Sequence, residues 1–378
     1  MKKLFVALLS LALILSLTGC GENENKNCIV IGGSGPLTGP ASEYGEAVKY
    51  GAEIAVDEIN ALGGLQFKLN IEDDKHDQEL ATNAYATLKD KGIQVSLLCV
   101  TTLPAIAVAS LTNADGIFAL TPSASGDDVI SSGEYIFRMC FGDPEQGVFA
   151  ANYIRNKALA KNVAVIYDKS DDYSKGIHDS FIKEASAIGI KVVADTVFTS
   201  DSNTDFSTQI KEIKDSGAEL LFMPIYYNEA YQIIIEANKQ SCNTIFFGCD
   251  GLDGILRIDG VDNNKLEGVY LLTPFTASSS DSATVNFVEK FKAKVGKEPN
   301  QFAADAYDCV YAIYNACKEN NITYDMSAQD IGNILKDYFA KMSFNGLTGN
   351  NVTWSANGKV SKSPKTYCIK NGIYENVD

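Results

Sequence analysis

Ten short runs rich in β-branched, aromatic and other apolar residues recur between residues 28 and 272, mostly separated by stretches with helical spacing. They read CIVIG (28–32), FKLNIED (67–73), VSLLCV (95–100), GIFALT (116–121), YIFRMCF (135–141), NVAVIYD (162–168), KVVADTVF (191–198), ELLFMPI (219–225), TIFFG (244–248) and GVYLL (268–272). Most are apolar on both faces, the pattern of parallel strands covered on both sides by helices. Between the first two, Ala47, Val48, Gly51, Ile54, Ala55, Ile59 and Leu62 recur every three to four positions, and Gly63-Gly64 stops the helix. An α/β fold with parallel sheets is expected.

The chain begins with a basic Met1-Lys2-Lys3 and an apolar stretch to residue 17, followed by Leu17-Thr18-Gly19-Cys20. That is a secretory signal over 1–19, too short for a membrane span. A cysteine directly after small residues resembles the lipobox of bacterial lipoproteins. The resemblance implies cleavage before Cys20, lipid on its sulfur, and a protein anchored outside the cytoplasmic membrane, with residues 20–27 as linker. Loss of Lys2 and Lys3 leaves 30 basic against 48 acidic residues, which disfavours nucleic acid as a partner. About 350 mature residues exceed a single core of roughly 250 to 300, so two domains are expected. Eight cysteines follow Cys20; several sit in apolar runs, where buried thiols are common, and no CxxC pair points to zinc or redox chemistry.

The stretch VIGGSGPLTG (30–39) has a strand running into four glycines before a helix, the setting of a phosphate loop. Its Gly33-Ser34-Gly35-Pro36-Leu37-Thr38 lacks the third glycine of the dinucleotide fingerprint, Pro36 lacks an amide, and no Gly-Lys-Ser/Thr exists. A cofactor is therefore not expected. His76 and His178 have no metal-ligand spacing and G-x-S-x-G is absent, so neither a metal nor a catalytic centre is indicated; both histidines read as surface or structural. The acid pairs Asp73-Asp74, Asp127-Asp128 and Asp171-Asp172 read as solvated turns and caps. Small hydroxyl residues do recur after strands, as Thr101-Thr102 and as Ser123 and Ser125 in TPSAS. Such turns either bind a small anion at helix N-termini or only cap the helices.

Here the chain resembles the leucine/isoleucine/valine-binding protein family, solute receptors of branched-chain amino-acid ABC transporters. The stretches that carry the likeness are GSGPLTGPASEYGEAVKYGAEIAVDEINALGG, EDDKHDQELATNAYATL, GIFALTPSAS, FRMCFGDPEQG, VAVIYDKSDDYSKG, DFSTQIKEIKDSGAEL and FNGLTGNNVTWSANGKV. The resemblance implies the type I periplasmic-binding-protein fold: two Rossmann-like lobes joined by three hinge crossovers, near Asp143, Thr273-Pro274 and 343–347. Lobe one would be 28–142 with 273–342, and lobe two 143–272 with 343–378. It places the ligand carboxylate on Thr102, with Thr101 as its rival, and on Ser123 and Ser125. Asp250 would meet an ammonium group, near Tyr226; Tyr173 would close over the ligand and Tyr44 flank its side chain. A disulfide found in some relatives would be absent, because His76 stands opposite Cys99. The implied role is non-enzymatic capture of an amino acid, branched-chain or otherwise aliphatic, by a monomer that delivers it to a permease. Competing readings are an amide, urea or aromatic acid as ligand, the ligand-binding part of a sensory system, and an extracellular hydrolase.

Overall fold

The computed structural model describes residues 27–378, so the signal at 1–19, Cys20 and almost all of the linker lie outside the described residues. Two large sheets organise the chain. The first consists of β1 (Ile29–Gly35), β2 (Phe67–Asp73), β3 (Val95–Cys99), β4 (Phe118–Thr121) and β5 (Ile136–Arg138), in the order β2-β1-β3-β4-β5 and parallel throughout. The second contains β6 (Asn162–Asp168), β7 (Lys191–Phe198), β8 (Leu220–Met223), β9 (Ile245–Gly248) and β10 (Tyr270–Leu272). After a small hairpin of β11 (Ser343–Phe344) and β12 (Val352–Thr353), β13 (Thr366–Lys370) and β14 (Ile373–Asn376) complete the second sheet as β14-β13-β10-β9-β8-β6-β7. Each sheet has its own lobe of helices.

Strand positions follow the apolar runs, with two departures. Three of the four glycines of VIGGSGPLTG, Gly32, Gly33 and Gly35, lie within β1, not in a turn after it. Ile93 and Val100 press against that strand so closely that a Cβ on Gly32 would sit 2.5 Å from Ile93 Cγ2, and one on Gly35 2.4 Å from Val100 Cγ2. The turn proper is Pro36–Ala41, where Asp73 accepts from the Leu37 amide at 2.9 Å and the Thr38 hydroxyl at 2.6 Å. Second, the second sheet is not wholly parallel: β13 runs antiparallel to both β10 and β14.

The helices Ser42–Ala61 and Gln301–Glu319 pack tightly in the first lobe, because Gly51 lets the Ala303 carbonyl approach to 2.0 Å of where a Cβ would stand. Residues 343–362, expected with lobe two, make most of their buried polar contacts with lobe one, although Lys359 pairs with Glu145 of the helix Asp143–Asn156. The Leu347 and Thr348 amides bond Asp308 at 2.8 and 2.9 Å, Trp354 Nε1 donates to the Arg138 carbonyl at 2.8 Å, and Lys362 reaches Asp305 at 2.6 Å. The buried Trp354 ring also lies against Phe339, 5.0 Å between centroids. The return to the second sheet thus comes at β13.

Candidate functional site

The parallel strands end towards the gap between the lobes, where first-turn residues of the following helices meet. Thr101 caps the helix Thr102–Ala114 after β3, and Ser123 and Ser125 occupy the turn after β4. From the other lobe come Tyr173, in the first turn after β6, Tyr226, the cap of Tyr227–Lys239 after β8, and Asp250, directly after β9. Tyr44 enters from the first turn of Ser42–Ala61.

One chamber is lined by Tyr44, Thr101, Thr102, Ser123, Tyr173, Tyr226 and Asp250, together with Val100, Gly251 and Phe302. Ser125 stands behind it, buried, its hydroxyl without a partner. The chamber's cavity volume is about 20 Å³. The lobes are therefore closed on a space of water size, and a ligand needs side chains to part. A larger cavity, about 300 Å³ beside Arg257, Phe275 and Tyr374, contains none of the expected residues and lies away from these strand ends.

The hydroxyl turns are internally organised. Thr121 Oγ1 donates to the Cys99 carbonyl at 3.1 Å and accepts from the Ala124 amide at 3.0 Å, which holds the turn on the end of β3. Ser123 Oγ donates to the Val100 carbonyl at 2.5 Å, so its proton is committed and it can offer a ligand only lone pairs. Thr102 Oγ1 accepts from the Gly126 amide at 3.3 Å, leaving its own proton available to a carboxylate. Thr101 Oγ1 lies 2.8 Å from His76 Nδ1. His76, read from sequence as surface or structural, supports this wall, and burial pushes its pKa down, favouring the neutral ring.

Asp250 is the chamber's one charged lining residue. Tyr173 Oη donates to its Oδ1 at 2.7 Å, Gln146 Oε1 accepts its backbone amide at 3.0 Å, and Gln301 Nε2 donates to its carbonyl at 3.1 Å. Burial raises its pKa to about 6, against the pull of the Tyr173, Gln146 and Gly251 hydrogen bonds. The Tyr173 and Tyr226 rings stack at 4.9 Å and 15°. Next to Tyr226, Asp171 is buried as well and pushed up to about 7, chiefly by burial and by Asp168, so it is not the solvated cap the sequence suggested.

Contacts across the gap fix the closed arrangement. Tyr44 Oη donates to the Gly251 carbonyl and accepts from the Tyr227 amide at 3.2 Å. Tyr227 Oη donates to the Pro40 carbonyl at 2.6 Å, and Arg257 Nε pairs with Glu43 at 2.7 Å. Seven of the eight cysteines after Cys20 (Cys99, Cys140, Cys242, Cys249, Cys309, Cys317 and Cys368) are buried free thiols, and no group of side chains among the described residues could hold a metal. Sequence reading missed Val100, Gly251, Phe302, Gln146 and Gln301. The first three are ordinary core types, and the glutamines act through the backbone of Asp250, which leaves no local pattern.

Comparison with known proteins agrees with this architecture. A family model described as periplasmic binding protein matches residues 29–367. A Leu/Ile/Val-binding protein homolog from Brucella melitensis is 30% identical over 79% of this chain and 81% of its own. The crystal structure of the branched-chain amino acid transporter substrate binding protein LivJ from Streptococcus pneumoniae, in complex with isoleucine, superposes with a TM-score of 0.83 at 28% identity, covering 92% of this chain and 98% of that one. A solute binding protein from R. palustris in complex with benzoate shares the fold with a TM-score of 0.82, at 20% identity over 93% and 95% of the two chains. The chain belongs to the periplasmic binding protein family, with the type I fold of the branched-chain amino-acid transporter receptors.

Proposed function

We propose that this protein is an extracytoplasmic receptor that captures an α-amino acid between its lobes and delivers it to the permease of an ABC importer, held near the membrane by lipid on Cys20. The observation that carries this reading is the charge of the chamber: one buried carboxylate, Asp250, and no lysine or arginine among the lining residues. A ligand with only a carboxylate would face Asp250 with no cation to balance it, whereas a zwitterion supplies its own ammonium. The ligand carboxylate would take the free proton of Thr102, and the lone pairs of Ser123 and the ammonium's remaining hydrogens leave room for one further contact. Hinge closure then brings Tyr173, Tyr226 and Asp250 against the ligand. Tyr44, Val100 and Phe302 give its side chain an apolar wall, which suits an aliphatic group. No group in the chamber acts as nucleophile and base, so the reading is capture without chemistry.

A thermal-shift screen of residues 21–378 against the common L-amino acids, amides and aromatic acids tests it. A ligand at a hundredfold its dissociation constant adds about 2.7 kcal/mol. Stabilisation confined to amino acids is the expected result. Stabilisation by benzoate-type acids alone would overturn the role given to Asp250.

A further inference from the structure

Asp143 opens the helix Asp143–Asn156 where the chain first leaves the β1–β5 sheet, and the capture reading makes no use of it. Its side chain is 1% exposed, and among the described residues neither carboxylate oxygen has a partner at full hydrogen-bond geometry. The groove around it is built from both lobes. Thr102, Gly126, Asp127 and Asp128 come from one side, Asp172 and Gly176 from the other. A Cβ on Gly126 would lie 3.5 Å from Asp143 Oδ2, and one on Gly176 3.3 Å, so both glycines lie close over the carboxyl. With at most the Ser125 hydroxyl to solvate it, an ionised carboxylate in such a place is costly, so the closed form holds it as the neutral acid.

The surrounding charges agree. Asp127 and Asp128 face the groove from the short helix after Gly126, Asp171 and Asp172 from the start of the helix after β6, and Asp250 from the turn after β9. The cation that acts on it is Arg138 at the end of β5. Its guanidinium is spent on the Ser125 carbonyl at 2.8 Å, Asp127 at 2.9 Å and Glu145 at 3.3 Å, and makes no bond to Asp143. Burial above all, with Asp250 and Asp171, pushes the acid up and prevails over the Ser125 hydroxyl and Arg138, which work against them. When the lobes part, water enters the groove and the carboxyl returns towards the ordinary aspartate value of about 3.9.

We propose that ligand capture is coupled to protonation: closing the lobes traps Asp143 between them as a neutral acid, so each binding event takes up a proton on that side chain. The proposal rests on the capture reading above. The sign follows from linkage: an acid whose closed-state affinity for protons is higher favours closure at low pH. Between about pH 4 and the closed-state value, ligand affinity falls as pH rises, by up to tenfold per unit.

The test is isothermal titration of the responding amino acid at pH 6.5 and 7.5, each in phosphate and in Tris, whose ionisation heats differ. The wild type is expected to show a buffer-dependent heat corresponding to uptake of up to one proton, and weaker binding at the higher pH. Asp143→Asn, which mimics the neutral acid, is expected to bind with most of that uptake lost and with a flatter pH dependence. Binding without proton exchange, or with release, overturns the coupling while leaving the capture reading intact. An uptake undiminished in the Asn variant overturns the assignment to Asp143. If that variant does not fold, the wild-type buffer series decides alone. Silence from every amino acid would sink capture and coupling together.

Discussion

Replacing Tyr44 by Phe removes one oxygen that belongs to both lobes at once. In the closed protein that oxygen donates to Gly251 and accepts from the Tyr227 amide, whereas the ring packs at 4.6 Å from Phe302 and 5.0 Å from Tyr227 and would stay in place. Two hydrogen bonds contribute about 0.5–1.5 kcal/mol each. In the open form both freed backbone groups can bond water, so the cost falls on closure and not on the folding of either lobe. A loss of about 1 to 3 kcal/mol in closure weakens ligand affinity by roughly 5- to 150-fold. Calorimetric titration of wild type and Tyr44→Phe gives that ratio, and urea denaturation without ligand gives the folding cost. An unchanged dissociation constant with a lowered unfolding midpoint would refute the reasoning, because it would make the hydroxyl a fastener of the fold and not of the closed state.

Other substitutions probe separate parts of the account. Asp250→Ala should cost about 2 to 5 kcal/mol of ligand binding, read by titration, by leaving the ammonium unpaired in a dry chamber. Lys362→Met strands Asp305, its buried partner at 2.6 Å, and should lower stability in urea by about 3 to 5 kcal/mol, largely restored by adding Asp305→Asn. Gly51→Ala drives a methyl group into the Ala303 carbonyl and should cost about 1 to 3 kcal/mol by thermal unfolding. His178 is opposed by burial, but hydrogen bonds to Asp195 and Asp179 prevail and raise its pKa. Its raised folded value favours the native state below about pH 6.5. The melting-temperature advantage of wild type over His178→Gln should therefore shrink as pH rises through neutrality.

The strands were legible because both faces of most are apolar, a pattern any buried parallel strand must show. The glycines of β1 were misread because their reason is tertiary: Ile93 and Val100 fill the space where side chains would be, and nothing in VIGGSGPLTG announces those neighbours. The β13–β14 hairpin was overlooked although its signal was present. Asn371-Gly372 sits between two strand-like runs, and both residues adopt positive φ, 51° and 75°, as a two-residue hairpin turn requires. The turns bearing Thr101, Thr102 and Ser123 could be placed from strand ends alone. That Ser123 spends its proton on Val100 depends on how the ends of β3 and β4 meet, and that Asp171 is buried and not solvated depends on the opposite lobe; local sequence describes neither.

The central claim is that the ligand's ammonium is read by Asp250. The most direct measurement compares the amino acid that binds with the same molecule lacking its amino group, titrated into wild type and Asp250→Asn. The account predicts that the wild type binds the deaminated compound at least about 30-fold more weakly, and that the Asn variant narrows the difference. Equal affinity of the wild type for both compounds would contradict it.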